Sequence, residues 1–326
     1  MSRIMEREDP ERLGLLALGN LPDHGPVRLS EVLDAIRAGA GDLRSFLNLS
    51  PSGRRRCVPS HVHSSLDLLP DAIQKARSLS ADLARAGVSW MVAGDPGYPA
   101  RLRCFLGRNA PFLLYYHGNP DLLSNPSILG IIGTRKPSIR GAKAAFSLGM
   151  EAGEQDICVA SGGAMGIDTA AHAGALEAGS TIIVLPRGIL RAGRFSHLAR
   201  NFNPENHLIL SEFPPFYRGN KTSPIVRNRT VAALSDAVAV VETGVRGGTL
   251  HTVRFAREMG KPILVTDFSP ESNPRGNASL LSTVGEAIKP TSWEDIHNAL
   301  ERGLREMEKE KGTQLDWDQP EWGQFI

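Results

Sequence analysis

Apolar residues recur along this chain with two different rhythms, and the change of rhythm divides it. From about Glu11 to Ala84 they fall at helical spacing, as in Leu15-Leu-Ala-Leu18, Leu29 to Ile36 and Leu66 to Leu83. Ser50-Pro-Ser-Gly53 and Arg54-Arg-Arg56 read as connections between these stretches. The pattern predicts a small all-helical domain over residues 1–88, of the SAM or helix-hairpin-helix kind. Leu21-Pro-Asp-His-Gly-Pro26 stands where a phosphate-gripping hairpin turn would be, but its glycine pattern is incomplete, and packing is the preferred account.

Beyond residue 88 short unalternating apolar runs replace the helical stripe. Trp90-Met-Val-Ala93 reads as a strand running into a Pro/Gly turn, and Pro111 to Gly118 as a second strand. Further strands are predicted at Ile128–Ile132, Ile157–Ala160, Thr181–Leu185, Leu208–Leu210, Ala237–Val241 and Pro262–Thr266. Helical stretches separate most of them, at Gly141–Glu154, Ile167–Ala178, Val226–Leu234 and Leu250–Met259. Strands that are apolar on both faces need helices on both sides. The expected fold is therefore α/β, a doubly wound, mostly parallel sheet over residues 89–298, with its ligand site at the carboxyl ends of the strands. Residues 299–326 carry a helix that is highly charged through Glu301–Lys311, then a tail in which Trp317, Trp322 and Phe325 alternate with acids. That tail is expected to be floppy.

Composition narrows the function classes. No apolar run in the 326 residues approaches the ~20 that a membrane helix needs. The first residues lack the apolar core of a signal peptide. Cys57, Cys104 and Cys158 are odd in number and far apart, which predicts a cytoplasmic chain without disulfides or zinc. The net charge of +2 argues against coating nucleic acid by bulk charge. Locally the balance differs: between Arg187 and Arg229 eight Lys/Arg face only Glu205 and Glu212, enough for a basic patch.

The chemistry is concentrated in turns that follow the predicted strands. Gly133-Thr134-Arg135-Lys136-Pro137-Ser138 combines a sharp glycine turn, a guanidinium fork, a point charge and a helix cap in Ser138. Ser161-Gly162-Gly163-Ala-Met-Gly166-Ile-Asp168 is a second such turn, and Asp168 opens a helix as cap or ligand contact. Arg227, Asn228 and Arg229 are placed at a helix start, where they suit phosphate and base contacts. Glu242-Thr-Gly-Val-Arg246-Gly247-Gly248-Thr249-Leu250 makes a third anion-capable turn, and Asn273 to Asn277 closes the set. The glycines do not match the dinucleotide fingerprint, and no G-K-[ST] ending is present, so neither NAD nor P-loop hydrolysis is expected. His61 and His63 have no third ligand nearby, His172 reads as a packed residue, and no nucleophile elbow or zinc spacing occurs. A binding site without catalytic residues, metal or cofactor is the expectation.

At these residues the chain resembles the DNA-processing protein A (DprA/Smf) family. Asp95-Pro-Gly-Tyr-Pro-Ala-Arg-Leu102 is similar to the family's D-P-x-Y-P-x-x-L segment, and Gly133-Thr-Arg135 to its G-[ST]-R turn. Ser161 to His172 resembles its S-G-x-A-x-G-I-D-x-x-A-H run, and Ser211-Glu-Phe-Pro214, Arg227-Asn-Arg229 and Gly276-Asn277 follow in family order. The resemblance implies an extended Rossmann-like domain that binds single-stranded DNA and hands it to a RecA-type recombinase, commonly as a homodimer and without catalysis. It implies strand contacts at Gly133, Arg135 and the Arg227/Arg229 turn.

Three departures qualify this. The family's G-[IL]-D and Y-P after the third strand are replaced by Gly188-Ile-Leu-Arg-Ala-Gly-Arg-Phe195, leaving Arg191 and Arg194 as candidate replacements. Gly247-Gly-Thr-Leu250 stands for S-G-[ST]-L. The winged-helix domain of many members is not expected here. Two rivals remain: a sensor of a free nucleotide, and a LOG-like nucleoside monophosphate N-glycosidase, whose G-G-x-G-T-x-x-E turn Gly247 to Val253 does not match.

Overall fold

The computed structural model describes residues 9–21, 26–191, 201–268, 273–284 and 287–313. They fall into two compact units. The first runs to Tyr98 and takes in Gly107–Leu114; the second comprises Pro99–Leu106 and the described residues from Tyr115 onward.

The first unit holds helices α1 (Pro10–Gly19), α2 (Pro26–Ala40), α3 (Leu43–Asn48), α4 (Pro51–Cys57), α5 (His63–Asp67) and α6 (Leu69–Arg85), then strand β1 (Ser89–Val92). Short polar side chains start several of them. Asp9, Asp42 and Ser50 accept hydrogen bonds from the first backbone N–H groups of α1, α3 and α4, and proline opens α1 and α4. Leu16, Leu29, Ile36, Leu43, Phe46, Leu69 and Leu83 are fully buried among these helices. Arg54-Arg-Arg56 lies inside α4 rather than in a connection, because the Ser50–Pro51 start carries the helix through it. Its charges are partly consumed locally: Arg54 donates to the Leu47 carbonyl at 2.6 Å, and Arg55 pairs with Asp67 at 2.6 Å. Most of the hairpin-like turn, residues 22–25, lies outside the described residues. The Asp95–Tyr98 turn is structural. Asp95 pairs with Arg12 at 2.7 Å and accepts from Val92 N–H at 2.9 Å, while the Tyr98 hydroxyl donates to the Pro111 carbonyl at 2.6 Å.

The second unit opens with α7 (Ala100–Leu106) and holds Tyr115–Gly118 of strand β2 (Leu113–Gly118). Alternation then sets in: β3 (Ile128–Ile132), α8 (Ile139–Glu154), β4 (Cys158–Ser161), α9 (Ile167–Ala178), β5 (Thr181–Val184) and β6 (His207–Ser211). There follow α10 (Ser223–Leu234), β7 (Ala237–Val240), α11 (Thr249–Glu258), β8 (Ile263–Val265), α12 (Arg275–Thr283), β9 (Ala287–Ile288) and α13 (Trp293–Thr313). The strand order is β2-β6-β5-β4-β3-β7-β8-β9. β2 runs antiparallel to β6, with Tyr115 opposite Ser211, and the pairs from β6 to β9 are parallel. This is the mostly parallel α/β sheet that the unalternating strands imply. Leu129 of β3 faces Val159 of β4 on one side and Ala237 of β7 on the other. From β3 the chain winds one way through β4, β5 and β6, then returns and winds the other way through β7. That reversal is the switch point at which open α/β sheets hold ligands.

Small residues let α8 and α9 pack closely against each other: a Cβ on Gly174 would stand 2.0 Å from the Phe146 carbonyl oxygen. Leu129, Ile131, Val159, Ala171, Ala175 and Val241 form the core beneath. One helix boundary differs in a way that matters. α10 begins at Ser223 rather than Val226, because the Asn220 carboxamide accepts from the backbone of Thr222 and Ser223 at 2.9 Å and Pro224 follows. Arg227 is therefore carried into the second turn of the helix. Among the described residues no helix is long and apolar enough to cross a membrane.

Candidate functional site

The turns after β3, β4 and β7 surround one cleft of about 850 Å³. Its walls include Thr134, Arg135, Gly162, Asp168, Lys221, Arg227, Asn228 and the run Arg246 to Thr249. Backbone bonds fix these turns to each other. Thr134 N–H donates to the Glu242 carbonyl at 2.7 Å, and Ile167 N–H to the Thr134 carbonyl at 3.1 Å. Glycine is required where they meet: Gly166 has φ +93°, and a Cβ there would lie 2.4 Å from the Thr134 carbonyl oxygen.

A helix N-terminus attracts anions, but two of the helices here are served by the protein's own carboxylates. Ser138 caps α8 by accepting from Gly141 N–H at 3.0 Å. Its own N–H and hydroxyl both donate to the Glu242 carboxylate, at 3.1 and 2.8 Å. At α9 the Asp168 carboxylate accepts from Ala164 N–H at 3.3 Å. Burial pushes Asp168 upward in pKa, opposed by the nearby Arg227 guanidinium and by backbone N–H groups. α11 differs, since its cap residue Gly248 brings no side chain.

Arg227 is the internal brace of this arrangement. It is 3% exposed and donates to the carbonyls of Gly162 and Val184, the latter at 3.0 Å, joining the carboxyl ends of β4 and β5. Burial depresses its pKa, while Asp168 favours its charged form. A side chain on Gly162 would overlap the guanidinium, with Cβ 1.9 Å from Nη1. Arg227 Nε donates to Asn228 Oδ1 at 3.0 Å, and Asn228 Nδ2 donates to the Gly248 carbonyl at 3.1 Å. The brace thus reaches the third turn.

Of the residues singled out in the sequence, Gly133, Thr134, Arg135, Gly162, Arg227, Asn228, Gly247, Gly248 and Thr249 come together at the cleft. Gly163 and Gly166, with φ of +61° and +93°, shape its second turn. Ser161 is buried between strands, its hydroxyl donating to the Ile131 carbonyl at 2.5 Å. Lys136 is exposed outside the cleft lining, and Ser138 is committed to Glu242. Arg229 lies 3.7 Å from Glu212, whose pKa burial raises and whose Oε1 accepts from the Thr230 hydroxyl. Arg191 is exposed and donates to the Phe216 carbonyl at 3.3 Å, away from the lining, and Arg194 lies outside the described residues. His172 is fully buried, with Nδ1 2.8 Å from the Thr181 hydroxyl, as a packed residue should be. Asn277 is a clamp behind the site, donating to the carbonyls of Val241 and Thr266 and accepting from Thr243 N–H.

The sequence includes Glu242 and Arg246 only within the third turn and Lys221 only within the basic run, and marks none of them as a site residue. Glu242 carried one usable signal, an acid directly after a buried strand. Met165 and Val245 stand 75% and 58% exposed on the second and third turns. The cleft therefore offers cations at its mouth, a floor in which Arg227 and Asp168 each favour the other's charged form, and apolar side chains beside it. Such a surface suits a phosphate-bearing polymer with exposed bases.

Comparison with known proteins points the same way. DNA processing protein DprA of Streptococcus pneumoniae is 36% identical over 157 residues, which cover 48% of this chain and 55% of that relative's length. The solved structure of DNA processing protein A from Streptococcus pneumoniae superposes with a TM-score of 0.65 at 25% identity, over 89% of this chain and 97% of that one. DNA processing protein A from Helicobacter pylori, whose structure describes its single-stranded DNA binding mode, gives 0.56 at 27% identity, over 66% and 96%. The family model for DNA recombination-mediator protein A matches residues 89–301. With that match over most of its length, and with the turns of the match gathered at one cleft, the chain belongs to the DNA recombination-mediator protein A (DprA/Smf) family.

Proposed function

We propose that this protein binds single-stranded DNA in the cleft at the carboxyl ends of β3, β4 and β7, and protects the strand and helps load a RecA-type recombinase onto it. The observation that carries the reading is the division of charge. In the floor Arg227 is spent on the Gly162 and Val184 carbonyls, with Asp168 near enough to favour its charge, whereas Arg135 stands exposed at the mouth with no hydrogen bond or ion pair among the described residues. Phosphates meet Arg135 and the glycine turns, and bases pack near Met165 and Val245. The resemblance to the family supports the recombinase partner, a homodimeric and cytoplasmic state, and a place in DNA uptake or recombination. A binding role without catalysis fits a cleft whose buried ionisable groups are spent on backbone groups and on each other. Residues 1–88 serve as a helical accessory domain to the Rossmann-like residues 89–298.

The test is fluorescence anisotropy with a labelled oligothymidine, competed by unlabelled duplex and by mononucleotides. Binding that neither competitor displaces supports the reading. A mononucleotide bound in place of the strand would make the protein a nucleotide sensor or hydrolase. For the partner, the readout is ATPase of a RecA-type recombinase on a strand precoated with single-strand-binding protein; stimulation is expected, and none would remove the loading role.

A further inference from the structure

The sequence points to Arg227 as an arginine that touches the strand, and the structure spends that guanidinium elsewhere. Its Nη1 faces two backbone carbonyls, its Nε faces Asn228, and its charge is matched by Asp168. A phosphate would have to displace these partners to reach it. Arg246 on the turn between β7 and α11 presents the opposite case. It is exposed, lines the same cleft, and makes no hydrogen bond or ion pair among the described residues. Among the described residues no neighbouring atom lies within 4 Å of a Cβ position on the following Gly247, at φ +139°, or on Gly248, so a backbone can approach this turn closely. The turn is nevertheless held from behind. Asn277 accepts from Thr243 N–H at 2.9 Å, Gly276 packs against Gly244, and Asn228 holds the Gly248 carbonyl.

We propose that Arg246 is a phosphate-binding residue for the strand, and that Arg227 is a positioning residue that sets the turns Arg246 and Arg135 work from. The inference rests on the cleft as the strand's site. A free guanidinium on a fixed turn contributes its charge to a phosphate without giving up any other partner.

The experiment is oligothymidine binding by the full chain across a salt series, for wild type, Arg246→Ala, Arg246→Lys and Arg135→Ala. Because Arg246 has no partner to lose among the described residues, its variants keep the wild-type thermal midpoint. Arg246→Ala weakens binding about tenfold and lowers the slope of log K against log salt by about one, the loss of one phosphate contact. Arg246→Lys restores the slope. If Arg246→Ala binds like wild type while Arg135→Ala is weakened, the role of Arg246 is overturned and the cleft stands. If wild type binds and neither variant differs from it, the cleft itself is the wrong surface, and both readings fall.

Discussion

The two ends of the parallel sheet both gather cations, and they use them in opposite ways. At the amino ends, Arg101 grips Asp236 through two bonds of 2.8 Å, and Asp236 also accepts from Ile128 N–H at 2.8 Å. Lys261 donates to the carbonyls of Ala233 and Ser235 and stands 3.8 Å from the centre of the Phe105 ring. All three charged groups are buried. At the carboxyl ends Arg227 is treated that way, while Arg135, Lys221 and Arg246 are exposed and have no hydrogen bond or ion pair among the described residues. Charge in the sequence is thus no guide to function until its partners are counted. A buried, paired cation holds elements together, and a free one at a cleft mouth is available to a ligand.

Each prediction sets the two ends against each other. The largest effect belongs to the amino end. Asp236→Ala leaves Arg101 buried and uncompensated, which costs about 3–5 kcal/mol of stability in urea denaturation, while the folded fraction keeps its affinity for the strand. Lost affinity in folded protein would merge the two ends into one functional unit. Next comes the brace. Arg227→Ala strands Asp168 and frees the Gly162 turn, costing about 3 kcal/mol of stability and weakening strand binding, yet the salt dependence of that binding keeps its wild-type slope. A reduced slope would restore Arg227 to the list of direct contacts. Arg135→Ala follows, with unchanged stability and binding weaker by about 1–3 kcal/mol, read by anisotropy.

The smallest effect is a pH dependence at the amino end. Burial pushes Lys261 down to about 7 from an ordinary value of 10.5. Between those values the unfolded chain holds a proton that the folded chain does not, so stability rises with pH across that window and this group gives no slope below it. From pH 7 to 8 the gain is ~1 kcal/mol, and Lys261→Met abolishes it. A wild-type stability that is flat over this interval, or that falls, would contradict the assignment.

Much of this architecture was legible in the sequence because buried parallel strands cannot hide their composition. Ile128–Ile132 coincides with β3, and Ile167–Ala178 with α9. The glycine turns were equally plain, since Gly133, Gly162 and Gly166 stand where any side chain would strike a neighbour. What sequence could not supply was the count of partners. Arg227 on α10 and Arg246 on the turn before α11 are the same residue type beside one cleft. Only the packing of α10 against β4 and β5 turns the first inward and leaves the second out. Ser138 likewise reads as a phosphate contact until Glu242, more than a hundred residues later, is seen on its N–H and hydroxyl. The missed start of α10 has the same origin, a cap built by Asn220 from three residues away.

The most direct test of the central claim is photocrosslinking of the protein to an oligothymidine bearing halogenated uridines, with crosslinked residues mapped by mass spectrometry. The account predicts crosslinks on the three carboxyl-end turns, at or beside Arg135, Met165 and Val245, and their loss when unlabelled strand competes. Crosslinks confined to the amino end of the sheet, or to Arg54-Arg-Arg56 in the helical unit, would contradict it.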